Sequence, residues 1–77
     1  MTKQFLGLNQ VVAINLRQER KKIGISQEDL AERCGLHRTY IGAIERSERN
    51  ITLQTLERLA ESLDVSPHDL LKNNRDV

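Results

Sequence analysis

The stretch "SQEDLAERCGLHRTYIGAIERSERN", residues 26–50, decides the architecture. Ser26 followed three residues later by Asp29 resembles a capping box at a helix start, with Asp where Glu or Gln is usual. Leu30, Ala31 and Cys34 then fall on one side of a helix that stops at Gly35. A further helix is expected from about 37 to 46, with Ile41 and Ile44 marking its inner face. Only "CGLH" joins the two, so their axes must cross sharply. Ala31 is small enough to let them approach closely. Gly35 tolerates a left-handed backbone that would strain a residue bearing a Cβ by roughly 1–2 kcal/mol. Leu30, Cys34, Leu36, Ile41 and Ile44 are apolar where each must point inward. Together these positions spell a helix-turn-helix over about residues 26–46.

Working outward, Leu8, Val12 and Leu16 recur every fourth residue and are joined by Ala13 and Ile23. They predict a first helix over about 8–22, ended by Gly24 as a left-handed cap. Downstream, Thr52 is a plausible N-cap for a fourth helix whose apolar stripe is Leu56, Leu59, Ala60 and Leu63. Ser66, with Pro67 at the first helical position, starts a short fifth helix carrying Leu70 and Leu71. Residues 73–77 are expected to fray. No strand candidate, internal repeat or low-complexity segment interrupts the pattern. The reading is an all-α, compact five-helix bundle, one domain over residues 1–77.

Composition narrows the function. The 77 residues hold one Tyr, one Phe and no Trp, so the core must be aliphatic and thin, and a second copy of the chain would add useful buried surface. A lone cysteine, Cys34, excludes an internal disulfide framework and points to a reducing compartment. It reads as a small buried hydrophobe, and neither His37 nor His68 forms a metal-ligand pattern with it. There is no membrane-length apolar run and no basic-then-apolar leader pattern. The net charge is only +1, but residues 1–50 carry nine Lys/Arg against six Asp/Glu, whereas residues 51–77 carry three against five. A surface meeting a polyanion is therefore expected in the first two-thirds of the chain, although a solvated basic surface accounts for the same asymmetry.

If Ile41 and Ile44 hold the third helix to the core, Arg38, Thr39 and Gly42 face the other way and Tyr40 lies on the flank. The first residues of the second helix in such a motif reach base edges in the major groove. Arg38 suits a two-bond contact to guanine and Thr39 suits a thymine methyl, each good bidentate pair discriminating by about 1–3 kcal/mol. Tyr40 is placed to reach a phosphate with its hydroxyl or to stack on a neighbour. Gly42 and Ala43 add no bulk that would hold the helix out of a groove. Flanking them, Gln27 sits at a helix N-terminus that favours an anion. Arg46, Ser47, Arg49 and Asn50 follow the third helix, with Arg46 and Asn50 read as DNA-backbone contacts and Arg49 as another or as a groove-inserting arginine. Arg17 and Lys21 extend the positive rim. Ordinary solvated surface explains any one of these taken singly.

A recognition helix of about ten residues spans only some 15 Å, too little to select a site unaided. A homodimer reading half-sites about 34–36 Å apart is therefore expected. Its surface would be the fourth and fifth helices, with Leu53, Val65 and Leu71 as candidate interface residues that would serve equally as core. Nothing resembles a nucleophile–base order, a metal-ligand set or a phosphate-binding glycine loop, so neither an enzyme nor a cofactor is expected.

The segment from Leu16 to Leu71 resembles the Cro/repressor-type (XRE-like) helix-turn-helix domains, and the resemblance extends over roughly residues 11–71. Within that superfamily, "HRTYIGAIERSERN" followed by "ITLQTLERLAESLDVSPHDLL" is similar to the controller proteins of restriction–modification systems. Those are dimers that bind pseudo-palindromic operators in the bacterial cytoplasm, activating and then repressing their own gene and that of the endonuclease. The resemblance implies a phosphate contact at Gln27, recognition at Arg38, Thr39 and Tyr40, and a backbone-contacting loop at Arg46, Arg49 and Asn50. It also implies a structural ion pair between Arg20 and Glu45, removing both from the list of DNA contacts. Glu28 and Glu32 match acidic positions that touch an RNA polymerase sigma subunit in phage-type activators, although acids at a helix N-terminus are favourable in themselves. His37 departs from the pattern, standing where related controllers often carry Asp or Ser as N-cap. A phage-type repressor, or a DNA-binding antitoxin acting as a protein-interaction module, is the alternative.

Overall fold

A computed structural model describes residues 7–73. Its five helices are α1 (Leu8–Lys22), α2 (Gln27–Cys34), α3 (Arg38–Glu45), α4 (Leu53–Leu63) and α5 (Pro67–Leu71), with no strand among the described residues. The expected order holds. α3 is shorter at each end than the spacing suggested, with His37 and Arg46 as its flanking residues. The fraying expected of residues 73–77 falls mostly on positions 74–77, outside the described residues.

Side-chain caps set three of the helix starts. Ser26 Oγ accepts the Asp29 N–H at 3.0 Å while the Asp29 carboxylate accepts the Ser26 N–H at 3.3 Å. Ser66 and Asp69 repeat this reciprocal pair ahead of α5, and Thr52 Oγ1 accepts the Thr55 N–H at 3.0 Å ahead of α4. Each such cap contributes about 1 kcal/mol. His37 makes no capping bond from its side chain.

The first four helices end alike. Gly24, Gly35, Ser47 and Asp64 take left-handed φ of 70°, 70°, 63° and 58°. In each case the residue after the left-handed one donates its N–H five residues back: Ile25 to Arg20, Leu36 to Ala31, Glu48 to Ala43 and Val65 to Ala60. This closure satisfies carbonyls that the helix leaves open. Ile25, Leu36 and Val65 also pack on the core; Glu48 is exposed.

The core is aliphatic, as composition required. Val12 and Leu16 of α1, Leu30, Ala31 and Cys34 of α2, Ile41 and Ile44 of α3, and Leu56, Leu59, Ala60 and Leu63 of α4 form one cluster closed by Leu70. Two members of the expected α1 stripe are not buried: Leu8 is 61 % exposed and Ile23 48 %. Both lie at helix ends, where the other elements no longer cover the surface. Asn15, only 2 % exposed, takes a place in the stripe instead. Its Nδ2 donates to the carbonyls of Leu70 and Lys72 at 3.0 and 2.8 Å, holding the end of α5 against α1.

Candidate nucleic-acid interface

α3 is exposed at its first turn and buried along the rest of its length, from Ile41 to Glu45. Ile41, Ala43 and Ile44 are buried, whereas Arg38 and Thr39 in the first turn are exposed. Tyr40 is half-buried and packs against the core, so its flank position serves structure as well as display. The Arg49 guanidinium lies over the Tyr40 ring, 5.4 Å from its centroid. That contact turns Arg49 back toward α3 and couples the loop to the first turn of the helix.

The expected Arg20–Glu45 pair is present and larger than two residues. Arg20 donates from Nε to Glu45 Oε2 at 2.6 Å and from Nη2 to Oε1 at 3.0 Å, and from Nη1 to the Ile25 carbonyl at 2.9 Å. Gln27 Nε2 donates to Glu45 Oε1 at 3.0 Å. Arg17 Nη1 reaches the Glu45 main-chain carbonyl at 3.2 Å, a cation at the C-terminal end of α3. One carboxylate, 3 % exposed as a residue, thus ties α1, α2 and α3 together. Burial alone would push the Glu45 carboxyl up; the hydrogen bonds from Arg20 and Gln27 and the charges of Arg20 and Arg17 outweigh it and hold it below the usual range. The hydrogen bonds that Arg20 donates to Glu45, and the negative charge of Glu45, in turn raise the Arg20 pKa against the opposing effect of burial.

Gly42 differs from the sequence expectation. It is buried, and what covers it is polar: a Cβ there would lie 3.2 Å from Arg46 Nη1 and 3.4 Å from Gln27 Oε1. Spacing alone placed Gly42 on an open face because it could not show two long polar arms crossing it. Ala43, expected to leave a groove unobstructed, is likewise buried. Arg46 is exposed and also meets Glu48, Nη2 to Oε1 at 3.1 Å, an acidic neighbour that the reading of the loop passed over. Asn50 is exposed, and Ser47 is half-buried with its carbonyl accepting from Asn9 Nδ2 at 3.4 Å.

The remaining candidates separate by location. Glu28 and Glu32 are exposed and line one shallow depression with His37 and Arg38. Leu53, 79 % exposed, and half-buried Leu71 line an apolar groove with Leu8, Val12, Ile51 and Leu56. Val65 does not share it: it follows the far end of α4, about 15 Å of helix from Leu53. Among the described residues, no group of His, Cys, Asp or Glu stands close enough to hold a metal ion, and no helix is long and apolar enough to cross a membrane.

Residues 16–70 match the helix-turn-helix family HTH_3. The chain belongs to this XRE-like family of helix-turn-helix transcription regulators. It is 51 % identical over 67 residues to the control protein C.SmaI of Serratia marcescens, covering 87 % of this chain and 80 % of that one. Of two other relatives, the chain spans 60 % and 62 % of the length. Among solved structures, a hypothetical transcription factor from Neisseria superposes with a TM-score of 0.88 at 38 % identity, covering 99 % of this chain and 91 % of that one. The restriction–modification controller protein C.AhdI of Aeromonas hydrophila superposes with a TM-score of 0.78 at 40 % identity, covering 80 % and 90 %.

Proposed function

We propose that this chain is a controller protein of a restriction–modification system: a homodimer that reads a pseudo-palindromic operator and activates, then represses, its own gene and that of the endonuclease. The observation that carries the reading is α3, whose inner face is buried while Arg38 and Thr39 stand exposed at its first turn. The similarity to control proteins supports the subfamily. Arg38, Thr39 and Tyr40 read bases. Gln27, Arg46, Ser47, Arg49, Asn50 and Arg17 hold phosphates around them, supplying affinity without sequence information. Arg20 and Glu45 brace the motif and touch no DNA. The partner copy docks on the apolar groove of Leu53 and Leu71 and extends along α4 to Val65. Glu28 and Glu32 are available to a sigma subunit of RNA polymerase; charge reversal there that left both DNA binding and activation intact would remove that role.

The deciding experiment selects bound sequences from a random duplex library with the purified chain at about 0.15 M salt. The expected product is a pseudo-palindrome with two matching half-sites, found upstream of a restriction–modification operon. Recovery of no preferred sequence by folded protein would overturn the proposal. It would move the weight to a partner-binding module, and a palindrome lying elsewhere would favour a phage-type repressor.

A further inference from the structure

Gly42 stands in the interior of α3, where glycine weakens a helix relative to alanine. Its φ is not among the positive values of this chain, so the backbone does not require glycine there. The apolar core does not require it either. The atoms nearest to its missing Cβ are Arg46 Nη1 at 3.2 Å and Gln27 Oε1 at 3.4 Å, the far ends of two long polar side chains. One arm comes from the start of α2 and the other from the residue that follows α3, and each is held by a further bond. Gln27 donates to Glu45 Oε1 at 3.0 Å, and Arg46 pairs with Glu48 at 3.1 Å.

We propose that Gly42 is a positioning residue for the phosphate clamp: its bare Cα is the seat across which Arg46 lies beside Gln27, setting the guanidinium for a DNA phosphate before DNA arrives. This deepens the function proposed above and rests on it. Arg46 is otherwise a long exposed side chain that would have to be ordered on binding, and ordering such a chain in advance removes part of that entropic cost. A Cβ at residue 42 displaces the guanidinium rather than the backbone, because the flexible end of Arg46 moves more easily than the helix. Fold and affinity therefore respond in opposite directions to the same methyl group.

The test is a double-mutant cycle of Gly42→Ala and Arg46→Ala, on the selected operator and on a scrambled duplex of equal length, over a range of salt. Loss of one phosphate contact corresponds to roughly a fivefold loss of affinity per protomer at 0.15 M salt, counted from 1 M, with the salt slope lower by about one. Gly42→Ala is expected to show a loss of up to that size on both duplexes and a melting temperature at or above wild type. It should add nothing in the Arg46→Ala background. The Arg46 side-chain N–H resonance of the free protein is expected to move in Gly42→Ala.

Wild-type affinity for the Gly42→Ala chain, additivity with Arg46→Ala, or an unmoved Arg46 resonance would each overturn the inference. A loss confined to the operator would overturn it too, since the methyl would then be holding α3 out of the groove. So would an unfolded Gly42→Ala chain, which would make the glycine a requirement of packing. A wild-type chain that binds neither duplex would instead bring down the proposed function, and the clamp with it.

Discussion

Glu45→Ala gives the sharpest test of how the motif is braced. The side chains of Arg20 and Glu45 retain 11 % and 2 % of their exposure, so neither can recover its hydration when the other is lost. The substitution removes both bonds from Arg20 to the carboxylate and the one from Gln27, leaving Arg20 its bond to the Ile25 carbonyl. Breaking one side of a buried pair costs about 3–5 kcal/mol. A chain of 77 residues has about 4–12 kcal/mol in all, by the usual stability per residue. A quarter or more of the total is therefore at stake. Urea unfolding followed by circular dichroism at pH 7 reads the loss, and Arg20→Ala/Glu45→Ala is expected to cost less than the two single changes summed. The pH dependence has a definite sign. The Glu45 carboxyl is depressed in the folded state, so its contribution is complete above the usual value of 4.5 and disappears as pH falls through the folded value. Glu45→Gln cannot titrate, so its stability is expected to fall less steeply than that of wild type below about pH 4.5. A loss under about 1 kcal/mol for Glu45→Ala, the size of one ordinary hydrogen bond, would refute the reasoning. Strict additivity with Arg20→Ala would refute it as well.

Specificity and affinity are expected to separate on the DNA face. Arg38→Ala should lose about 1–3 kcal/mol of discrimination at one base position per half-site in competition binding, and an unchanged preferred sequence at unchanged affinity would displace α3 from the groove. Arg46→Ala should weaken all duplexes nearly alike and lower the salt slope by about one, which a titration at several salt concentrations reads directly. Asn15→Leu leaves the carbonyls of Leu70 and Lys72 without the Nδ2 donor and is expected to cost about 1–3 kcal/mol in thermal unfolding. Ser47→Gly relieves a left-handed serine at φ 63° and is expected to raise stability by up to about 1 kcal/mol, the gain being offset in part by the freer unfolded chain.

What was legible in the sequence is what local rules govern. The caps at Ser26, Thr52 and Ser66, the glycines at 24 and 35, and the inward run Leu30, Cys34, Ile41, Ile44 each follow from one residue and its near neighbours. Their agreement with one another located the motif. The misreadings share a cause. Gly42 was assigned from the helical wheel, but burial by Gln27 and Arg46 depends on an arm from another helix and on the fold of the following loop. Leu8 and Ile23 obeyed the period and still lie outside the core, because the period does not report where neighbouring helices end. Asn15 was detectable in principle, as a polar residue among Val12, Ala13 and Leu16, but its partners are 55 and 57 residues away. The Arg20–Glu45 pair, 25 residues apart, came from family resemblance, and spacing alone would not have produced it.

The same physics distinguishes the end of α3 from the other helix ends. Three of the four left-handed closures place an apolar residue, Ile25, Leu36 or Val65, against the core just after the turn, and that contact helps fasten the end. At α3 the turn residue is serine, and Glu48 projects into solvent instead. What fastens this end is polar: Arg17 on the Glu45 carbonyl, Asn9 on the Ser47 carbonyl and Arg46 on Glu48. Exposed polar contacts are exchangeable for phosphate contacts in a way that buried apolar ones are not, because both draw on the same donors. Arg46 Nη2 would exchange Glu48 for a phosphate without exposing apolar surface, whereas detaching Ile25 or Leu36 would uncover the core. If this end is the phosphate-contacting loop proposed above, its weak apolar anchoring is a requirement of the task. Replacing Glu48 by leucine should then tighten the closure and slow or weaken binding to every duplex, even though it removes a negative charge that on Coulomb terms alone would favour DNA. An Arg46 released toward phosphate by that charge loss, seen as stronger binding of Glu48→Leu at low salt, would show instead that the acid merely competes with DNA for the arginine.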